Sequence, residues 1–173
     1  VQVVVFDMDQ TMVRMHSRGK MTPEELPQYL AAVSEDFVNV VPRIRKAGLH
    51  LAVATHSDRA EYIRGKTPQT HLIGEDLVWP VLKHAVPEFA DDFFVVAYNP
   101  FVRRDKAESN IGKRRHMREI SEHFGVPLRQ TILFDDDANN VSTAKGFRCV
   151  AIDPKKGFDL QALGDFTASF QSQ

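Results

Sequence analysis

The apolar positions of this chain fall into five short runs separated by longer stretches of mixed polarity. The runs are 1–6 (VQVVVF), 49–54 (LHLAVA), 93–98 (FFVVAY), 130–134 (QTILF) and 147–152 (FRCVAI). Each is strand-sized and rich in β-branched or aromatic residues. Near-continuous apolarity of this kind marks strands covered on both faces. Helical patterns lie between them. Thr22, Pro23 and Glu25 form a capping box with Pro at the first helical position. Ser34-Glu35-Asp36 opens a second helix with Phe37, Val40, Val41 and Ile44 on one face and Gly48 as its stop. Pro42 falls inside that pattern and predicts a kink or a break. A third pattern runs from Lys113 to Phe124 and closes at Gly125, and a fourth from Ala138 to Lys145 closes at Gly146.

Strand and helix in alternation predict an α/β fold, a doubly wound (Rossmann-like) parallel sheet with helices on both faces. The whole chain, 1–173, reads as one domain. The segment after the first strand, about 12–33, is too short for more than a small insertion of one loop and one short helix, and its VRMHSRGKM stretch hangs over the first strand's tip.

Composition narrows the classes. Hydrophobic residues make up 43% and charged residues 26%, as in ordinary globular proteins. A net charge of −1 draws the chain to neither nucleic acid nor membrane, and no apolar run is long enough to span a bilayer. Seven Lys or Arg residues between Arg103 and Arg118 form a basic stretch without the interleaved aromatics of a nucleic-acid platform. The lone Cys149 excludes an internal disulfide and a multi-cysteine zinc site, and its apolar neighbours make it a small core residue. A reducing, cytoplasmic compartment is the expectation. The chain opens without Met inside its first strand, so targeting is only weakly bounded.

The chemistry gathers at the strand ends, where open α/β sheets keep their ligands. Asp7, Asp9 and Thr11 leave the first strand in the pattern D-x-D-x-T. Thr55 directly follows the second strand, with His56 beside it. Asp135, Asp136 and Asp137 leave the fourth, with Asn140 shortly after, and Lys113 opens the preceding helix. Carboxylates this close repel unless a cation or a proton intervenes. Each piece alone has an ordinary reading. D-x-D-x-T recurs by chance, Asp137 reads as a helix N-cap, and a helix-start lysine is commonly solvated. All four in strand order, each at an element's end, point to one pocket. Lys106 is the rival lysine.

On these residues the sequence resembles the haloacid dehalogenase superfamily, over residues 1 to about 152. The superfamily's marks are an aspartate pair in D-x-D-x-[TV], a Thr or Ser after the second strand, a Lys, and D-D-x-x-x-[DN] after the fourth. They match Asp7, Asp9 and Thr11, then Thr55, Lys113, and Asp136 with Asn140. The local pattern of Lys113, His116 and Phe134-Asp135-Asp136 is more loosely similar to its small magnesium-dependent (acid) phosphatases.

The resemblance implies strand order 3-2-1-4-5 and a minimally capped, Mg²⁺-dependent phosphomonoester hydrolase. Asp7 is then the nucleophile and passes through a phosphoaspartate, and Asp9 is the acid and base. Thr11, Thr55 and Lys113 contact the phosphoryl group, and His56, which flanks Thr55, is expected to line the same substrate site. Mg²⁺ is held by Asp7, by the Asp9 backbone carbonyl and by Asp136, with Asp135 and Asn140 in support. An open site of this kind suits a phosphorylated partner, small molecule or phosphoprotein side chain, and leaves room for a second subunit as lid in a homo-oligomer. The competing expectations are a phosphate-sensing module without turnover and a phosphatase of sugar or nucleotide phosphates.

Overall fold

The computed structural model describes residues 1–65, 68–99 and 111–167. Five parallel strands form one sheet: β1 (Val3–Phe6), β2 (His50–Thr55), β3 (Phe93–Ala97), β4 (Thr131–Asp135) and β5 (Arg148–Ala151). Their order is β3-β2-β1-β4-β5. The helices are α1 (Leu26–Ala31), α2 (Glu35–Lys46), α3 (Ala60–Ile63), α4 (Glu75–Ala85), α5 (Arg114–Phe124) and α6 (Ala138–Ser142). None of the described helices is long and apolar enough to cross a membrane.

Strand alternation divides the core in two. Val4, Phe6, Leu51, Val53, Ile132 and Phe134 face the layer built from α2, α4 and the segment after β1. Val3, Val5, Ala52, Ala54 and Leu133 face the opposite layer with Met117 and Ile120 of α5. By the same parity Asp7 and Asp135 project toward the α5 side. Phe6 pairs with Phe134 in register, so these two carboxylates leave adjacent strands at the same level.

Several helix ends form as the sequence predicts. Ser34 Oγ accepts from Phe37 N (3.4 Å) to cap α2, and Gly125 closes α5 in the left-handed conformation. Thr22 and Glu25 make the two reciprocal bonds of the capping box, at 3.0 and 3.3 Å, although α1 itself starts only at Leu26. Two expectations need correction. Pro42 neither breaks nor interrupts α2; it sits on the exposed side, where the carbonyl it leaves unpaired can meet water. The helix expected to reach Lys145 stops at Ser142, where the Thr143 hydroxyl (2.6 Å) and its N–H (3.0 Å) both donate to Asn139 O. Cys149 lies half-buried on β5, and burial pushes its thiol up to about 12, so it is a poor nucleophile.

The chain after β5 returns across the turn that follows β1. Phe158 N donates to Thr11 O (2.8 Å), and Ser34 Oγ donates to Phe158 O (2.5 Å). The Phe158 ring is edge-on to Phe6 and Phe134, with centroids 5.2 and 5.1 Å away. Phe158→Ala should therefore cost about 3–5 kcal/mol in urea unfolding, the usual loss for a buried phenylalanine.

Candidate active site

The segment after β1 turns sharply rather than continuing the sheet. Met12 N and Val13 N reach back to Asp7 O (3.3 Å) and Met8 O (3.0 Å). That turn leaves Asp7 and Asp9 on one cleft of about 430 Å³, shared with His16, Thr55, His56, Lys113, Asp136 and Asn140. Thr55 is the last residue of β2 and Asp135 the last of β4, rather than the first residues beyond them.

Lys113 stands at the centre. It is the N-cap residue of α5 and is 2% exposed. Gly112 before it has φ 55°, and a Cβ there would collide with Thr143 Oγ1, so glycine is required. The Lys113 ammonium donates to Asp7 Oδ1 and lies 2.9 Å from Asp135 Oδ2. Burial opposes its charge, but the carboxylates of Asp135 and Asp7 outweigh that and hold its pKa above the usual lysine value. Asp7 responds differently. Burial pushes its carboxyl well up and Asp135 adds to this, while Lys113 pulls it down. Burial, then Asp135, also raises half-exposed Asp136.

Asp135 is fully buried and its oxygens are spoken for. Besides Lys113 it accepts from Asp137 N (2.9 Å) and from Asn140 Nδ2 (3.0 and 3.1 Å). Asp137 caps α6 by accepting from Asn139 N (2.7 Å). Oxygens of Asp7, Asp135 and Asp136 all lie within 4.8 Å of one another.

Asp9 has its own set of partners, all from the segment after β1. Ser17 donates to Oδ2 through both its N–H (3.0 Å) and its hydroxyl (2.6 Å), and Tyr29 OH donates to Oδ1. His16 Nδ1 is 2.6 Å from Oδ2, and that hydrogen bond raises the imidazole's pKa. Burial alone would raise the Asp9 carboxyl, but the bonds from His16, Ser17 and Tyr29 together hold it below the usual carboxylate range. Tyr29 is fully buried, and burial together with the Asp9 charge keeps its phenol protonated.

Two imidazoles flank the lysine. Burial, followed by the Lys113 charge, lowers His56 to about 4. Burial, with His56 and Lys113 beside it, holds His116 well below its ordinary value. Both are neutral at neutral pH.

The cleft thus gathers Asp7, Asp9, Thr55, His56, Lys113, Asp136 and Asn140 from the sequence-derived set, with Asp135 directly behind. Thr11 is not brought to it. Thr11 is fully buried, its carbonyl binds Phe158 N, and its Oγ1 has no hydrogen-bond partner, so a phosphate contact there is not supported. Lys106, with much of the basic stretch around it, lies outside the described residues. Tyr29 and Ser17 escaped sequence reasoning. A serine in a loop and a tyrosine on a short helix carry no spacing signal toward Asp9.

Solved structures share this arrangement of strands and helices. A HAD-like protein from Mesorhizobium loti aligns with a TM-score of 0.61 at 14% identity, over 99% of this chain and 87% of that one. CbbY from Rhodobacter sphaeroides, in complex with phosphate, gives 0.55 at 14% identity, over 92% and 90%. The chain has the haloacid dehalogenase-like fold. D,D-heptose 1,7-bisphosphate phosphatase from B. bronchiseptica, complexed with magnesium and phosphate, has the same haloacid dehalogenase-like fold at a TM-score of 0.56, with 12% identity over 90% and 95% of the two chains. No protein-family model and no curated protein matches the sequence.

Two predictions test the electrostatics of this centre. Lys113→Met leaves Asp7 and Asp135 facing each other without a counter-charge, so about 3–5 kcal/mol of stability should disappear at neutral pH. A carboxyl whose folded pKa is raised stabilises at low pH and loses that as pH rises through the folded value, so the variant's deficit should shrink at pH 5. His56 gives the opposite slope. The unfolded imidazole takes a proton near pH 6.5 and the folded one only near 4, so acidification across that window destabilises the fold. His56→Gln should remove up to about 3 kcal/mol of that loss, read as urea stability at pH 7 against pH 4.

Proposed function

We propose that this chain is a phosphomonoester hydrolase working through a phosphorylated Asp7. The observation that carries this is the ring of Asp7, Lys113, Asp135 and Asp136 at one end of the sheet, with Thr55 beside it and Asp9 two residues from Asp7. Three carboxylates stand against one ammonium, and both nearby imidazoles are neutral. The donor set is oxygen only, with two net negative charges, which fits Mg²⁺. Asp135 is already committed to Lys113, Asp137 and Asn140, so Asp7, Asp136 and the Asp9 carbonyl are the ligands we assign. Bound there, the cation supplies positive charge that keeps Asp7 anionic despite its burial and neutralises substrate oxygens.

The residues then divide the work. An Asp7 oxygen attacks phosphorus as the bond from phosphorus to the leaving oxygen breaks, giving phospho-Asp7 and an alcohol whose proton comes from Asp9. Water next attacks the phosphorus of phospho-Asp7, Asp9 takes the water's proton, and Asp7 and inorganic phosphate are released. Thr55 and Lys113 grip the phosphoryl oxygens throughout. The hydrogen bonds on Asp9 favour its ionised form, which serves the second half of this cycle, while the first half draws on its protonated minority.

The described lining of the cleft is polar throughout, without an aliphatic or aromatic hydrocarbon side chain. That supports a small, hydroxylated phosphomonoester such as a sugar phosphate. A phosphotyrosine ring or a nucleobase would find no Phe, Tyr or Trp among these residues, only the His16 and His56 imidazoles.

The test is hydrolysis of p-nitrophenyl phosphate and a panel of sugar phosphates. Turnover should require Mg²⁺, vanish with chelator and fall by at least 10³-fold in Asp7→Asn. Undiminished turnover in that variant would overturn the nucleophile assignment. Phosphate binding without turnover in the wild type would favour a sensing module.

A further inference from the structure

Thr55 and Lys113 come from different elements, the end of β2 and the start of α5, and two histidines tie those elements together reciprocally. His116 lies one turn after Lys113 on α5 and is 1% exposed. Its Nε2 is 3.0 Å from Thr55 O and 3.0 Å from Tyr98 O. Two carbonyl acceptors make Nε2 the protonated nitrogen, since a carbonyl cannot donate to it. Thr55 O also accepts from Tyr98 N at 3.0 Å, so it is a node joining β2, the residue after β3, and α5. The second tie runs the other way. His56 follows Thr55, and its Nε2 is 3.4 Å from the carbonyl of Gly112, which precedes Lys113. The two rings lie 5.2 Å apart and tilt by 51°.

Neither imidazole is explained by packing alone. A hydrophobic side chain at position 116 would strand no side-chain nitrogen, whereas His116 Nδ1 is buried with no hydrogen-bond partner. Stranding that nitrogen costs free energy, and the two carbonyl bonds made by Nε2 offset it. Those bonds fix the distance between a strand tip and a helix start that hold the two sides of one anion site.

We propose that His116, braced by His56, is a positioning residue that sets the spacing between Thr55 and Lys113 and thereby the grip on a phosphoryl group. This rests on Thr55 and Lys113 binding phosphate, but not on turnover. Neither histidine transfers a proton in this role.

The experiment reads inorganic phosphate affinity by calorimetry with the Mg²⁺-supplemented protein, alongside thermal melting and kcat and KM for p-nitrophenyl phosphate. His116→Gln keeps an N–H near the Nε2 position, whereas His116→Asn stops short of both carbonyls. Phosphate affinity should stay within about threefold of wild type in His116→Gln and fall about tenfold or more in His116→Asn, with KM rising in parallel. His56→Gln combined with His116→Asn should lose less than the sum of the single losses, because both act on one distance. Equal affinities for His116→Gln and His116→Asn would overturn the proposal, as would a fall in melting temperature without a change in phosphate affinity. A wild type that binds phosphate without hydrolysing esters, with the Gln and Asn variants differing as described, would overturn the hydrolase reading and leave the brace standing.

Discussion

One buried ammonium among carboxylates constrains the rest of this structure. Lys113 is almost wholly removed from water, and so is Asp135. In a low-dielectric interior an unpaired charge of either sign is untenable, while a close, hydrogen-bonded pair is tolerable. The details around the lysine follow from that requirement. Asn140 and the Asp137 N–H satisfy the Asp135 oxygens that Lys113 leaves open. Gly112 lets the chain approach α6 closely enough to bring Lys113 in. The two histidines stay neutral because burial first, and then the neighbouring Lys113 charge, disfavours a second cation. Even so, Asp136 leaves the cleft with an excess of negative charge, and the proposed cation site rests on that excess.

The sheet makes this arrangement inexpensive. Parallel pairing of β1 with β4 in register brings Asp7 and Asp135 out of adjacent strands at one level, and the strand period turns both toward α5. The helix that covers that face with Met117 and Ile120 also begins with Lys113 and carries His116 one turn on. A single amphipathic helix therefore fills the core with one part of its face and balances charge with its first turn. Asp7, Thr55, Lys113 and Asp135 each sit at a strand or helix boundary rather than within a long loop.

This explains which parts were legible in the sequence. β1, β2 and β4 stood out because both faces of each are covered, β3 and β5 by their apolar runs although they are only partly buried, and α2 and α5 because their apolar spacing and glycine stops agree. Asp7, Thr55, Lys113 and Asp135 to Asp137 were visible because each abuts an element boundary, and boundaries of parallel strands converge at one edge. What the sequence could not disclose depends on the path of the chain between elements. Thr11 shares a motif with Asp7 and Asp9, but the sharp turn after β1 carries it inward beneath Phe158. Tyr29 and Ser17 reach Asp9 only because the intervening segment folds back, a contact between residues 20 and 8 positions from it that no periodicity encodes.

Asp9 shows how the short segment after β1 contributes without closing the cleft. Both Asp9 oxygens are fixed by donors from that segment, and Tyr29 is anchored in the main core rather than at the surface. A carboxylate on a freely rotating side chain would spend much of its time away from any reacting oxygen, and the entropy of fixing it would fall on the reaction. Here the fold has already met that cost. The segment also joins the β2 end, where Ser57 Oγ donates to Gly19 O (3.0 Å) and accepts from Gly74 N (2.7 Å). The overhang is therefore tied to both neighbouring strand ends, orienting Asp9 from one side while the cleft stays open on the other. Among the described residues no domain closes over a site held this way, so water can reach it, which suits the proposed hydrolase.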